Sequence, residues 1–252
     1  MRGATAERRA DLAELLGARI GVHVDVVSFA DYGTLESRLN AGALDFAWLP
    51  PALAVRAADA KVATMLAEVV RAPGAFFYGT LYVLASSRWH RVEDLRGLRV
   101  GWVDRDSSSG YLFPRQALVL RGLDPVALFG SETFCGSHAQ VARAVVAREV
   151  DVGATFLNMD VTRGDSGAIS AGWYDTSDVP MRPLLTTDPI PSDVLCVGPS
   201  VDAALQARML EAFVGLADEP RGRAVLRELF SAERFEPADE RRYASVRAAL
   251  RS

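Results

Sequence analysis

Short apolar runs alternate with amphipathic helical stretches along most of the chain. Near the start, Asp45-Phe-Ala-Trp-Leu49 is apolar enough for a buried strand, and stretches with helical periodicity lie on both sides of it, at 32–39 and 51–60. This alternation favours an α/β fold and predicts a mostly parallel sheet. With 252 residues, of which 50% are hydrophobic, the chain can form one large core or two modest ones.

The same periodicity predicts further elements of both kinds. Helices are expected over residues 6–16, ending at Gly17, and over 114–120, 139–149, 203–216, 222–229 and 243–250. Strands are expected over residues 22–29, 62–70, 76–86, 98–103, 127–133 and 150–156. The stretch 161–179, rich in Gly, Ser and Asp, is expected to be an irregular loop.

One loop carries the strongest indication of binding chemistry. The string Asp104-Arg-Asp-Ser-Ser-Ser-Gly110 lies between an expected strand and an expected helix. The first N–H groups of a helix have no intrahelical partner and carry partial positive charge, so such a junction can hold an anion. Ser107, Ser108 and Ser109 add hydroxyl donors. Gly110 lets the backbone approach a ligand closely. These residues favour the binding of a tetrahedral oxyanion. The alternative is that one serine is an ordinary N-cap and the other two are solvated loop residues.

The residues around this loop resemble one transport family. The segment from Asp94 to Pro114 is similar to a segment of the phosphate, phosphite and phosphonate substrate-binding proteins of ABC transporters, whose serines hold the phosphonate oxygens. The similarity runs from about Leu12 to Tyr243. It implies the type II periplasmic-binding-protein fold, with two α/β lobes, two crossover strands and a ligand cleft between the lobes.

The resemblance also implies how the chain divides. Residues 1–83 and 195–252 are expected to form lobe 1 and residues 84–194 lobe 2, with crossovers near 80–86 and 184–194. The usual first strand of the family is apparently missing from this sequence. We therefore expect a gap or an exposed edge in the sheet of lobe 1.

The resemblance adds candidate ligand residues outside the serine loop. His138, in Cys135-Gly-Ser-His138, matches a histidine that donates to the same oxyanion, and a capping or surface role is the alternative. Tyr78 and Trp48 match cleft positions, and aromatic packing is an equal alternative for each. Asp193 matches an aspartate that faces the ammonium group in aminoalkylphosphonate binders, or else it is a turn residue after proline.

The implied function is the solute-binding component of an ABC importer. It would capture a phosphonate, phosphite or phosphate-like oxyanion by cleft closure and deliver it to the permease. No cofactor and no metal are expected. We do not expect an enzyme, because the sequence holds no nucleophile elbow, P-loop or metal triad. Two alternatives stay open: a ligand-sensing domain of a larger receptor, and a lyase or synthase on the same fold, of the menaquinone-pathway type.

Composition narrows the possible partners and location. A net charge of −4 argues against nucleic-acid binding, which favours a basic surface. No apolar run has the length of a membrane span, and the first residues do not read as a signal peptide. The resemblance nevertheless implies a periplasmic or extracytoplasmic protein, and we expect a monomer. Cys135 and Cys196 permit at most one disulfide, and isolated thiols are expected.

Overall fold

The computed structural model describes residues 6–29, 31–71, 76–159, 168–174, 176 and 178–251. The chain divides into two compact units. Unit 1 consists of Met1–Ala75 and Pro191–Ala244, and unit 2 of Phe76–Ile190 and Ser245–Ser252. The first two boundaries between the units lie eight and four residues before the predicted lobe boundaries, so Tyr78 belongs to unit 2 and Asp193 to unit 1. The predicted lobe boundaries stay a prediction. The C-terminal residues belong to unit 2 here, whereas the sequence placed them in lobe 1.

Helices and strands alternate through both units. The helices are α1 Ala6–Ile20, α2 Tyr32–Asn40, α3 Pro51–Asp59, α4 Phe113–Leu120, α5 Pro125–Leu128, α6 His138–Val146, α7 Ala203–Val214, α8 Pro220–Phe230 and α9 Ala244–Ala249. The strands are β1 Phe46–Leu49, β2 Thr64–Val70, β3 Phe76–Leu84, β4 Arg99–Trp102, β5 Ser131–Phe134, β6 Val152–Met159, β7 Ala168–Ala171, β8 Met181–Thr186, β9 Ile190–Pro191, β10 Val194–Val197 and β11 Arg234–Pro237. A π-helical turn, Ser108–Leu112, precedes α4 directly.

The sheet of unit 1 has the strand order β1-β10-β2-β11, and every neighbouring pair is antiparallel. The prediction of a mostly parallel sheet is therefore wrong for this unit. The reason is that β10 lies between β1 and β2 and runs opposite to both. Helices α1, α7 and α8 supply most of the core on this sheet, including Leu16, Phe213 and Leu226.

The start of unit 1 differs from the sequence prediction in two ways. Helix α1 continues past Gly17 because Leu16 and Ile20 are both buried, and it ends where Gly21 turns with φ +78°. The predicted strand 22–29 is wrong, since these residues pair with no strand among those described. Val22 and Val27 remain 44% and 54% exposed. A β-branched composition favours a strand only where a partner strand supplies the hydrogen bonds.

Strand β1 lies at one edge of the sheet of unit 1. Within the described part of unit 1, β10 is the single strand paired with β1. The other long edge of this strand therefore has no strand partner in that part of the chain. An open sheet always has two edge strands, here β1 and β11, so the expectation that a first strand is missing stays a prediction.

The sheet of unit 2 has the order β5-β4-β6-β3-β8, with β7 on β6 and β9 on β3. Strand β4 runs parallel to both β5 and β6, whereas β3 is antiparallel to β6 and β8, and β7 is antiparallel to β6. This sheet is therefore mixed rather than mostly parallel. Because β4, β5 and β6 share one direction, their carboxyl ends lie at the same edge of the sheet.

Two segments of unit 2 depart from the predicted elements. The predicted strand 127–133 begins later, at Ser131, because Asp124 caps the short helix α5 by accepting from the Val126 N–H (2.9 Å). Part of the predicted loop 161–179 is the strand β7, which pairs with β6. Residues 161–167, 175 and 177 of this stretch lie outside the described residues.

Candidate functional site

Three parallel strands of unit 2 deliver polar residues to one edge of the sheet. The serine loop follows β4, His138 follows β5, and Thr155 lies on β6. Backbone hydrogen bonds tie the first two loops together, because the Val103 N–H donates to Gly110 O (3.2 Å) and the Gly136 N–H donates to Val103 O (2.8 Å). The carboxyl edge of parallel strands is the common position of ligand sites in α/β folds.

The three serines are buried rather than solvated. Ser107, Ser108 and Ser109 expose only 6%, 3% and 4% of their surface. Ser107 is the N-cap of the π-helical turn, and its Oγ accepts from the Gly110 N–H (3.0 Å). The capping interpretation is thus right for Ser107, whereas the interpretation of its neighbours as solvated loop residues is wrong.

The hydroxyl of Ser108 has no hydrogen-bond partner among the described residues. Its Oγ is buried and makes no hydrogen bond within the part of the chain that the structure describes. A buried hydroxyl without a partner costs about 1–3 kcal/mol. The hydroxyls of Tyr82, Ser87 and Ser192 share this condition, so what distinguishes Ser108 is its place in the fold. It lies at the start of a helical segment, where backbone N–H groups are also available to an acceptor. Together these donors are suited to an anion.

Two glycines allow the serine loop to pack closely against its surroundings. A Cβ on Gly110 would lie 2.4 Å from Val103 Cγ2, and one on Gly79 would lie 2.9 Å from Ser109 O. Gly79 is itself fixed by Thr187, whose N–H donates to Gly79 O and whose Oγ1 accepts from the Gly79 N–H, both at 2.9 Å. The backbone of the loop is therefore held by β3 as well as by its own turn.

His138 is the first residue of α6, and contacts on two sides orient its ring. Nδ1 lies 2.8 Å from Thr155 Oγ1, and the ring meets Phe156 edge-on with centroids 5.0 Å apart. Ser137 caps this helix by accepting from the Gln140 N–H (3.2 Å), so the capping role belongs to the serine and not to the histidine. Burial raises the pKa of the Cys135 thiol, which disfavours a nucleophilic thiolate beside His138.

The structure places Tyr78 close to the serine loop along the sheet. Tyr78 lies on β3 opposite Leu157 and is half-buried against the core cluster that includes Tyr82. Its chain neighbour Gly79 packs on the Ser109 backbone. Ser107, Ser108, Ser109, Gly110, His138 and Tyr78 thus belong to one unit.

The remaining two predicted residues lie in unit 1. Trp48 packs edge-on against Phe230, with ring centroids 5.2 Å apart. Asp193 Oδ2 accepts from Arg71 Nη2 at 2.6 Å, and both side chains are more than four-fifths buried. Asp193 therefore already has a cationic partner. The ligand roles of Trp48 and Asp193 stay predictions.

Sequence reasoning missed the residues that support the site. Thr155 contacts His138, Gly79 packs on the Ser109 backbone, and Thr187 holds Gly79 in place. None of these three residues lies in a ligand motif of the sequence. One signal was available, because Thr155 is a lone hydroxyl in the apolar run Val152–Phe156. In the part of the chain that the structure describes, no three His, Cys, Asp or Glu residues are placed to hold a metal ion.

Comparison with known proteins identifies the chain's relatives. Residues 2–243 match the family model described as "ABC transporter, phosphonate, periplasmic substrate-binding protein". The phosphate-import protein PhnD of Mycolicibacterium smegmatis is 30% identical over an alignment of 180 residues, and the match covers 66% of this chain and 55% of that protein. The aligned part therefore spans about half the length of this curated relative.

Solved structures share the fold. PhnD1 from Prochlorococcus marinus, in complex with methylphosphonate, superposes with a TM-score of 0.79 at 19% identity, covering 97% of this chain and 92% of that one. A binding-protein component of an ABC phosphonate transporter from Pseudomonas aeruginosa gives a TM-score of 0.78 at 20% identity, covering 97% and 80%. The predicted type II periplasmic-binding-protein fold is confirmed. Among the described residues, no helix has the length and apolar character of a membrane span.

Proposed function

This chain belongs to the family of periplasmic phosphonate-binding proteins of ABC transporters, and we propose that it captures a phosphonate, phosphite or phosphate oxyanion for import. The family consists of transport binding proteins and not of enzymes. The observation that carries the proposal for this chain is the buried Ser108 hydroxyl, which has no partner in the described residues.

The proposed site binds its ligand through neutral donors. Hydroxyls of the serine loop and N–H groups at the start of its helical segment donate to the oxygens of the anion, and the helix dipole adds favourable potential. Hydrogen bonds to a charged acceptor are about twice as strong as those between neutral groups. Since Ser108 and Ser109 are buried, these bonds form away from bulk water, which strengthens them further.

The partner and the location follow from the same proposal. A binding protein of an importer delivers its ligand to the membrane permease, and we propose an ABC permease as the partner of this chain. We propose a periplasmic or extracytoplasmic location, in line with the description of the family. A monomeric state and the absence of nucleic-acid partners stay predictions.

Cleft closure also stays a prediction. Ligands that contact two units joined by flexible segments commonly draw them together by a hinge motion. Small-angle scattering with and without saturating phosphite tests this expectation, because closure lowers the radius of gyration. An unchanged radius at saturation would contradict closure without affecting the proposed anion site.

A thermal-shift screen tests the proposed ligand class. Phosphate, phosphite, methylphosphonate and 2-aminoethylphosphonate are compared with sulfate as a control anion. A ligand at one hundred times its Kd stabilises the folded state by about 2.7 kcal/mol, which is readily measured. We expect at least one phosphorus oxyanion to raise the melting temperature, and phosphorus NMR to show that it is recovered unchanged. Failure of all four ligands, or their conversion to product, would overturn the proposal.

A further inference from the structure

We infer that Thr155 is a positioning residue, which holds His138 in the tautomer protonated on Nε2 and so makes its ring a hydrogen-bond donor to the oxyanion. The role toward an oxyanion rests on the proposed function. The tautomer of the unliganded His138 ring does not depend on that function.

The hydroxyl of Thr155 is buried and has His138 as its partner. Thr155 lies on β6 and exposes none of its surface. Its Oγ1 lies 2.8 Å from His138 Nδ1 and makes no other hydrogen bond among the described residues. A hydroxyl in such a place has one hydrogen to donate, and the imidazole nitrogen is the acceptor within its reach.

The direction of this hydrogen bond follows from the single hydrogen of the Thr155 hydroxyl. If Nδ1 carried a hydrogen, it would donate to Oγ1 and leave the Thr155 hydrogen buried without an acceptor, an arrangement that proteins avoid. If Nδ1 carries none, it accepts from Thr155 and both groups are satisfied. A neutral imidazole has one N–H, which then lies on Nε2.

The backbone at Gly172 keeps other partners away from the Thr155 hydroxyl. The chain at Gly172 passes so close that a Cβ there would lie 1.9 Å from Thr155 Oγ1 and 3.0 Å from His138 Cβ. Gly172 also donates its N–H to Phe156 O (3.2 Å), which fixes the backbone in this position. The backbone around Gly172 thus covers the Thr155–His138 hydrogen bond.

The consequence for binding follows from the chemistry of the ligand. The oxygens of a phosphonate or phosphite are hydrogen-bond acceptors wherever they are not protonated. A ring that presents Nε2–H donates to them, whereas a ring that presents an unprotonated Nε2 meets them with a lone pair. Thr155 therefore acts on the ligand through the proton position of His138, without touching the ligand itself.

Nitrogen NMR of histidine tests the tautomer directly. The chain has only three histidines, His23, His90 and His138, and the His138 signals are those lost in His138→Gln. Long-range proton–nitrogen spectra of unliganded protein labelled on the imidazole nitrogens are expected to show His138 protonated on Nε2 and unprotonated on Nδ1. A wild-type ring protonated on Nδ1 would overturn the inference, whether or not any anion binds.

Two variants at position 155 separate positioning from packing. Thr155→Val keeps the shape and removes the hydroxyl, and Thr155→Ser keeps the hydroxyl and removes a methyl group. We expect Thr155→Val to shift the His138 signals toward a mixture of tautomers and to weaken binding of phosphite or methylphosphonate about three- to tenfold. Thr155→Ser should keep both the wild-type signals and most of the affinity.

The outcomes distinguish this inference from the proposed function. A Thr155→Val protein with wild-type His138 signals would overturn the positioning role. If wild-type protein shows the expected tautomer but binds none of the oxyanions, the proposed function fails and the assignment of the tautomer stands. Should Thr155→Val not fold, the wild-type spectrum alone still decides the tautomer.

Discussion

Replacing Ser108 by alanine should change stability and affinity in opposite directions. In the unliganded protein the Ser108 hydroxyl is buried and has no hydrogen-bond partner among the described residues. Removing it relieves a desolvation penalty of about 1–3 kcal/mol and leaves a small void. We expect the free energy of unfolding to stay constant or to rise by about 1 kcal/mol, and the melting temperature by no more than about 2–4 °C.

The effect on binding should be a clear loss. A hydrogen bond from a buried hydroxyl to a charged acceptor contributes roughly 1.5–3 kcal/mol, which corresponds to about a tenfold to hundredfold change in Kd. Calorimetric titration with the best oxyanion from the thermal-shift screen measures this change. Thermal unfolding of the unliganded variant measures the stability.

Two other serines provide matched controls. Ser107→Ala removes the N-cap bond to Gly110, so it should lower stability by about 1 kcal/mol. Ser87→Ala removes another buried hydroxyl without a described partner, in the turn after β3, and should leave the affinity unchanged. A Ser108→Ala protein that is destabilised as much as Ser107→Ala and binds with wild-type affinity would refute the reasoning.

Three further predictions concern the surroundings of the site. Gly79→Ala should weaken anion binding, because the new Cβ would meet the backbone of the serine loop at 2.9 Å, and calorimetry checks this. Asp193→Asn should lower the melting temperature with or without ligand, because Arg71 loses its carboxylate partner. If instead the melting temperature is unchanged and only the affinity for 2-aminoethylphosphonate falls, the predicted amine site is supported. Hydrogen bonds from Arg99 lower the pKa of Asp151 below its usual 3.8, so the stabilisation they give is complete above that value and is lost as the pH falls through the folded-state pKa. Chemical denaturation should therefore show a smaller stability deficit of Asp151→Asn relative to wild type at pH 2 than at pH 7, and an equal deficit at both pH values would contradict this.

The serine loop could be predicted from sequence because its chemistry is local. The cap at Ser107, the hydroxyls that follow and the close approach at Gly110 all lie within four consecutive residues. The helices were likewise found by their own periodicity, and the end of α1 was misplaced by only one turn, from Gly17 to Gly21.

The errors concern features that depend on distant parts of the chain. Residues 22–29 have strand composition, but they pair with no described strand, and pairing is a property of the whole sheet. The antiparallel position of β10 between β1 and β2 could not be seen in the alternation of elements. The contact of His138 with Thr155 depends on the neighbouring positions of β4, β5 and β6, and the pairing of Asp193 with Arg71 joins residues far apart in sequence.

Titration of the double variant Ser108→Ala, His138→Ala tests the central claim most directly. The claim is that the serine loop and the adjacent histidine of unit 2 hold a tetrahedral phosphorus oxyanion. If both groups donate to the bound anion, their losses combine to roughly 3–6 kcal/mol, and calorimetry should show at least a hundredfold weaker binding than wild type. Binding of phosphite, phosphate and methylphosphonate with wild-type affinity by the double variant would show that the site lies elsewhere and that the loop only caps a helix.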